Sequence, residues 1–201
     1  MRAKKARTEI RREQIANTAL ELLAVRGWQR VSLAAIARKV GVVTSAVYRH
    51  FRGKDEVLDA VLELVDQIFQ ANVQTARDAN DQPLVQLHDI FVRHVALILS
   101  GVPVPRIILS EDVFTGSPRH RKHADRIYKN YLGALVAIIR AGQEQGQIRG
   151  TSSAETLALM WLGLVQSPAI LWLLGGSDFD LKQHCERAWE LYAQMLQSAR
   201  R

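Results

Sequence analysis

The chain has 201 residues, 48% of them hydrophobic, enough for one large domain or a small one joined to a larger one and too apolar for wholesale disorder. Five prolines and twelve glycines are few, which favours helices over a many-turned sheet, and a single cysteine, Cys185, excludes an internal disulfide or a cysteine-built zinc site. The net charge of +7 is uneven: residues 1–54 hold thirteen of the 27 Lys/Arg but three of the 20 Asp/Glu, so a strongly basic front precedes a mildly acidic remainder, a pattern that suits a polyanion-binding head or, more blandly, a solvated basic surface.

Residues 1–7, MRAKKAR, read as a disordered basic tail. Thr8 then caps a first helix to about residue 25, because Ile15, Ala19, Leu22 and Leu23 recur at helical spacing, and Gly27 closes it. Ser32 caps a short second helix with Leu33, Ile36, Ala37 and Val40 on one face, and Gly41 breaks it. A short third helix lies within VVTSAVYRHF, with Val47 and Phe51 facing inward. After Gly53, KDEVLDAVLELVDQIF opens a fourth helix to about residue 77, with Asp55 and Glu56 in the first turn where acids suit the helix dipole. Residues 84–100 form a fifth helix. Gly101, Pro103 and Pro105 interrupt, and 106–114 is a short sixth. In TGSP, Ser117 caps and Pro118 takes the first position of a seventh helix, which runs to about residue 145 and ends at Gly146. Ser152 or Ser153 opens an eighth, closed by Gly175 and Gly176. Asp180 starts a ninth, to about residue 198. No strand alternation, repeat or low-complexity tract is present. The fold class expected is all-α, with about nine helices.

Residues 32–51 have the form of a helix-turn-helix: a capped helix, a glycine, and a second helix about three residues on. Ile36, Ala37, Val42, Val47 and Phe51 would hold the pair against the first helix. Thr44, Ser45, Ala46, Tyr48, Arg49 and His50 are left on outward or edge positions. Hydroxyls and a phenol on one side of a narrow helix suit phosphate oxygens and base edges in a major groove. An ordinary helical hairpin with a basic face is the competing reading of these residues alone.

LAAIARKVGVVTSAVYRHFRGKDEVL, preceded by ELLAVRGW and RVSLAAIA, resembles the N-terminal domain of the tetracycline-repressor (TetR) family of transcriptional regulators over about residues 8–62. The resemblance implies a three-helix DNA-binding domain, residues 1–53 with the basic tail, and a larger helical ligand-binding and dimerisation domain, residues 54–201. It places Thr44 and Ser45 at base- or phosphate-contacting positions, Tyr48 and His50 at phosphate contacts, Lys54 on the DNA backbone at the start of the fourth helix, and Ser32 at a capping hydroxyl that touches phosphate. Arg49 joins this set from its outward position; Arg38, Lys39 and Arg52 read as solvated. Two positions depart from the family pattern. Val43 stands where a capping Ser or Thr is usual, so Thr44 is expected to cap instead. Ala34 replaces an arginine with which some members read a base.

Residues 156–177 carry no charge and are long enough to cross a bilayer. Gln166, Ser167 and Pro168 at the middle, and Glu155, Asp178 and Asp180 at the flanks, argue instead for a buried helix in a soluble protein. On the ninth helix Leu181, Cys185, Ala188, Trp189, Tyr192, Met195 and Leu196 share one side. In the family, two such helices per subunit build a four-helix dimer interface, so Leu181, Cys185, Ala188, Trp189, Tyr192 and Met195 are the interface candidates. The resemblance also implies a ligand cavity, for which Phe69, Phe91, His94, Glu111, Phe114, Tyr128, Tyr131, Trp161, Gln166 and Trp172 are candidates. Gln166 leads them, because Pro168 frees a backbone carbonyl one turn earlier; Glu111 comes second. His120 and His123 could pair on a metal, but Arg119, Arg121 and Lys122 around them favour an exposed basic helix start. No Ser-His-Asp constellation, glycine-rich phosphate loop or His-Glu-x-x-His is visible.

The expectation is a cytoplasmic homodimeric regulator, a repressor rather than an enzyme. It would bind a pseudo-palindromic double-stranded DNA operator and be released by a small apolar or aromatic effector, with no cofactor, no metal and no membrane. The rival readings are a membrane-associated helical protein, and a carrier or enzyme whose basic N-terminus is incidental.

Overall fold

The computed structural model describes residues 2–102, 104, 107, 110–175 and 179–197. They form nine α-helices and one 3-10 turn: α1 (Arg2–Arg26), the turn Trp28–Arg30, α2 (Leu33–Val40), α3 (Thr44–Tyr48), α4 (Lys54–Ala79), α5 (Pro83–Leu99), α6 (Glu111–Phe114), α7 (Pro118–Glu144), α8 (Ala154–Gly175) and α9 (Leu181–Leu196). No strand occurs among the described residues. An isolated antiparallel bridge, Ile148 to Gln197, ties the α7–α8 connection to the end of α9.

Local chemistry sets most of these boundaries. The Ser32 hydroxyl accepts from the Ala35 N–H at 3.1 Å and starts α2; Gly41, in the left-handed region at φ 80°, ends it while the Val42 N–H returns to the Ala37 carbonyl at 2.9 Å. Ser153 accepts from the Thr156 N–H at 3.2 Å ahead of α8, and Asp180 from the Gln183 N–H at 2.9 Å ahead of α9. Pro118 occupies the first position of α7 as expected, and Pro83 does the same for α5, one residue earlier than expected.

Two expectations are corrected. The helix of the front end begins at Arg2, not after Thr8, so the backbone of residues 2–7 is helical rather than disordered. Arg, Ala and Lys are good helix formers and nothing among them breaks the run. At α3 the capping residue is Val43, with no side-chain hydrogen bond, and Thr44 is the first helical residue. Of the expected sixth helix, 106–114, only Glu111–Phe114 forms α6, because Ser110 is its extended N-cap; positions 106, 108 and 109 of the expected span, with Pro103, Pro105, Gly176 and residue 198, lie outside the described residues.

The chain divides into two compact units, residues 1–68 with 101–127, and residues 69–100 with 128–201. In the first, α1 packs on α2 and the 3-10 turn, and α2 packs on α3. Ile15, Leu23, Ile36, Ala37, Val47, Phe51 and Leu58 are almost wholly buried there. In the second, α9 lies along α8 and both touch α5. Its centre is a set of rings: Tyr131 stacks on Phe69 at 4.4 Å between centroids, and Phe91 meets Trp161 edge-on at 5.5 Å.

Pro168 sits inside α8 and removes the N–H that would bond the Leu164 carbonyl. That carbonyl instead accepts from the Cys185 thiol of α9 at 3.8 Å. The outward face of α8 is apolar: Leu159, Met160, Ile170, Leu171 and Leu174 are exposed at spacings of one, three and four residues around Gly163 and Ser167, and Leu191 and Met195 are exposed on α9.

Candidate functional site

The third helix is held by its inward residues. Val47 and Phe51 are buried to within 1% and anchor it against α1 and α2, while Val42 is half-buried in the turn. This leaves Ser45, Tyr48 and Arg49 exposed and Thr44 and His50 half-exposed. Because Thr44 does not cap, its hydroxyl is not committed to the helix end. The C-terminal end of α3 is fixed by Arg12 of α1, which donates to the His50 carbonyl and lies over the Phe51 ring at 4.2 Å. Burial, and then the charges of Arg12, Arg11 and Arg49, hold the His50 imidazole below its ordinary pKa, and its Nδ1 is buried without a hydrogen-bond partner. Ser32 is exposed as well as capping.

Lys54 opens α4 half-exposed. Its Nζ donates to the Gln29 carbonyl at 3.4 Å and lies over the Trp28 ring at 4.9 Å, which aims an otherwise floppy side chain. Gln29 in turn donates to both carboxylate oxygens of Asp112 in α6, at 2.8 and 2.9 Å. The sequence reading missed Arg12, Trp28 and Gln29 as organisers. A cation 39 residues before the aromatic it covers gives no local signal; Trp28, directly after the helix-closing Gly27, was the one mark available.

Of the ten cavity candidates, Phe69, Phe91, His94, Tyr131 and Trp161 meet in the second unit. His94 Nδ1 and the Tyr131 hydroxyl are 3.1 Å apart, and Trp161 Nε1 donates to the Leu87 carbonyl at 3.3 Å. Burial pushes His94 down to about 4 and Tyr131 up. Tyr128 and Gln166, both half-buried, pair through their side chains. Trp172 is half-exposed on α8, whereas Glu111 and Phe114 belong to the first unit and are exposed. The carbonyl freed by Pro168 is not open beside Gln166 but taken by Cys185, whose thiol burial raises to about 11.

The interface candidates on α9 divide likewise. Leu181, Cys185, Trp189 and Tyr192 are buried inside the protomer, Tyr192 donating to the Leu157 carbonyl at 2.7 Å and Trp189 lying 5.4 Å from Phe91. They serve the chain's own core. Ala188 is half-exposed and Met195 exposed.

His120 and His123 do not form an exposed helix start. His120 is 3% exposed, its Nε2 3.2 Å from the Asp55 carbonyl; His123 is wedged between Asp59 at 3.9 Å and Glu63 at 3.5 Å. Arg119 holds the second Asp59 oxygen at 3.0 Å. No group of three or more His, Cys, Asp or Glu that could hold a metal occurs among the described residues.

A capped helix, a glycine turn and a short second helix with a hydroxyl-rich outer edge form a helix-turn-helix, and residues 15–61 match the family described as "Bacterial regulatory proteins, tetR family". Residues 15–61 are therefore a DNA-binding domain similar to those of TetR-family regulators. Over 123 residues, 54% of this chain and 58% of the relative, it is 48% identical to the HTH-type transcriptional regulator SrpR of Pseudomonas putida. It is 22% identical to the fatty acid metabolism regulator protein of Bacillus subtilis over 170 residues, 84% of this chain and 86% of that one. The crystal structure of the transcriptional regulator FadR from Bacillus subtilis in complex with stearoyl-CoA has the same fold, with a TM-score of 0.76 at 20% identity over 91% of this chain and 98% of that one.

Proposed function

We propose that this regulator is a cytoplasmic repressor that binds a pseudo-palindromic operator as a homodimer and leaves it when a small, largely apolar effector occupies the helical body. Residues 1–53 are the reading head and 54–201 the body. Thr44, Ser45 and Arg49 face the groove; Ser32, Tyr48, His50 and Lys54 meet its phosphates. The observation that carries the reading is the uncommitted outer edge of α3, polar and exposed, on a helix clamped from behind by Val47, Phe51 and Arg12.

The dimer forms through the apolar outer faces of α8 and α9. This accounts for a helix long and apolar enough to cross a membrane, of mean hydropathy 1.8, that is only 39% buried within one chain. The effector reading draws on the stearoyl-CoA bound by the FadR relative and on the ring cluster around Tyr131. Tyr128 and Gln166 supply its polar end. An effector releases DNA by the difference in its affinity for the two forms of the protein, typically about 1–3 kcal/mol of coupling.

Selection of bound sites from a random duplex pool with the purified protein tests the DNA reading. The expected product is a dyad whose half-sites lie about 34–36 Å apart or at a multiple of that spacing. Recovery of sequences without dyad symmetry would overturn the dimeric repressor.

A further inference from the structure

We propose that Val43 reads the 5-methyl group of a thymine in each operator half-site, an inference that rests on the DNA-binding reading above. Val43 is the residue immediately before α3, with backbone angles of −73° and 147° and no side-chain hydrogen bond to the helix end. It is 67% exposed, whereas Val42 is half-buried and Val47 and Phe51 are buried. It is thus the apolar residue of the reading segment that the core does not use. A single exposed valine means little on an ordinary surface. Here it occupies a position whose preference runs strongly to Ser, Thr, Asp and Asn, at the end of the helix from which helix-turn-helix proteins touch base edges.

The chemistry of the groove selects the partner. G, C and A present only hydrogen-bonding groups on their major-groove edges; thymine alone adds a methyl group. A valine against a polar edge strips water from donors and acceptors without replacing it, while against the methyl it buries apolar surface on both sides. β-Branching already restricts the valine rotamer, so little freedom is lost on contact. Thr44 and Ser45, next along the chain, carry hydroxyls for the neighbouring base or phosphate. One side chain therefore favours a thymine and disfavours other bases at the same position.

The test uses a selected operator in which each thymine is replaced in turn by deoxyuridine, a change that removes only the methyl group. For the full-length protein, one position per half-site is expected to lose about fourfold in affinity, the effect of burying one methyl-sized group. For Val43→Ser and Val43→Ala the same replacement is expected to have no effect. Val43→Ser also supplies a capping hydroxyl, so its thermal midpoint should match or exceed that of the parent and a folding defect is separated from lost discrimination. Thymine positions all insensitive to the replacement, or equally sensitive in parent and variants, would overturn the assignment of Val43. Failure to select any duplex would instead remove the DNA-binding reading beneath it.

Discussion

Lys54 and Ser45 both belong to the first unit, and the proposed function gives them different work. Lys54 is steered by the Gln29 carbonyl and the Trp28 ring, and a cation set against phosphate is indifferent to sequence. Lys54→Ala is expected to weaken binding to every duplex alike and to flatten the dependence of log affinity on log salt by about one unit, measured by titration at several salt concentrations. Ser45→Ala should leave that slope in place and change the ranking among operators; equal losses on all sequences would refute the division. His94 allows a separate test on the fold. Its ring is buried and held at about 4 instead of 6.5, so the fold accepts only the neutral form. The resulting stability is complete above about pH 6.5 and is lost progressively as the pH falls toward 4, on the order of 2 kcal/mol at pH 5. Unfolding free energies from urea titrations at pH 7.5 and pH 5 should differ by that much more in the parent than in His94→Gln. At this scale the sequence was half legible. Val47 and Phe51 announced themselves by spacing, whereas Arg12, which grips both His50 and Phe51, did not, because its partners are set by the crossing of helices far apart in the chain.

Helix punctuation was legible because it is local: Ser32, Gly41, Pro118 and Asp180 act on the residues beside them. The start of α1 was not, since a basic run reads as a tail until something is seen to end it. The faces of α8 and α9 were the harder problem. Periodicity found the apolar side of α9 correctly but could not say whether it met its own chain or another; Leu181, Cys185, Trp189 and Tyr192 turn out to serve the protomer. On α8 the apolar residues go all round, so periodicity carried no direction. The outward set gives the prediction that belongs here. Replacing Leu171, 59% exposed, and Leu191, 68% exposed, by glutamate should leave helix content unchanged and shift the protein to a monomer in sedimentation, because each charge would be buried at the proposed interface. A dimer that persists in the double variant would relocate the interface.

For the molecule as a whole, charge and assembly act together. The front quarter carries nearly half of the basic residues, while the remainder is mildly acidic, so affinity for DNA of any sequence should fall steeply with salt. The proposed dimer would make operator affinity depend on protein concentration: below the dimer dissociation constant, binding curves should steepen beyond a simple hyperbola, and the Leu171→Glu, Leu191→Glu variant should lose operator binding while retaining weak, salt-sensitive binding to any duplex. Fluorescence anisotropy across a hundredfold range of protein concentration distinguishes the two behaviours. The all-α class was readable from composition and spacing, while the division into a head and a larger body came from the family resemblance. The places where the two units commit their side chains were not, because burial depends on neighbours that a linear pattern does not name.

The thiol of Cys185 and the ring of Pro168 lie on different helices yet answer one another through the Leu164 carbonyl. Neither residue can be judged alone. A change of Cys185 to alanine strands an oxygen, while restoring an ordinary amide at 168 makes the sulfur dispensable, so the harm of the first change should be erased by the second. Selection acting on one position would then be felt at the other, and a cysteine of this kind would persist for its weak proton.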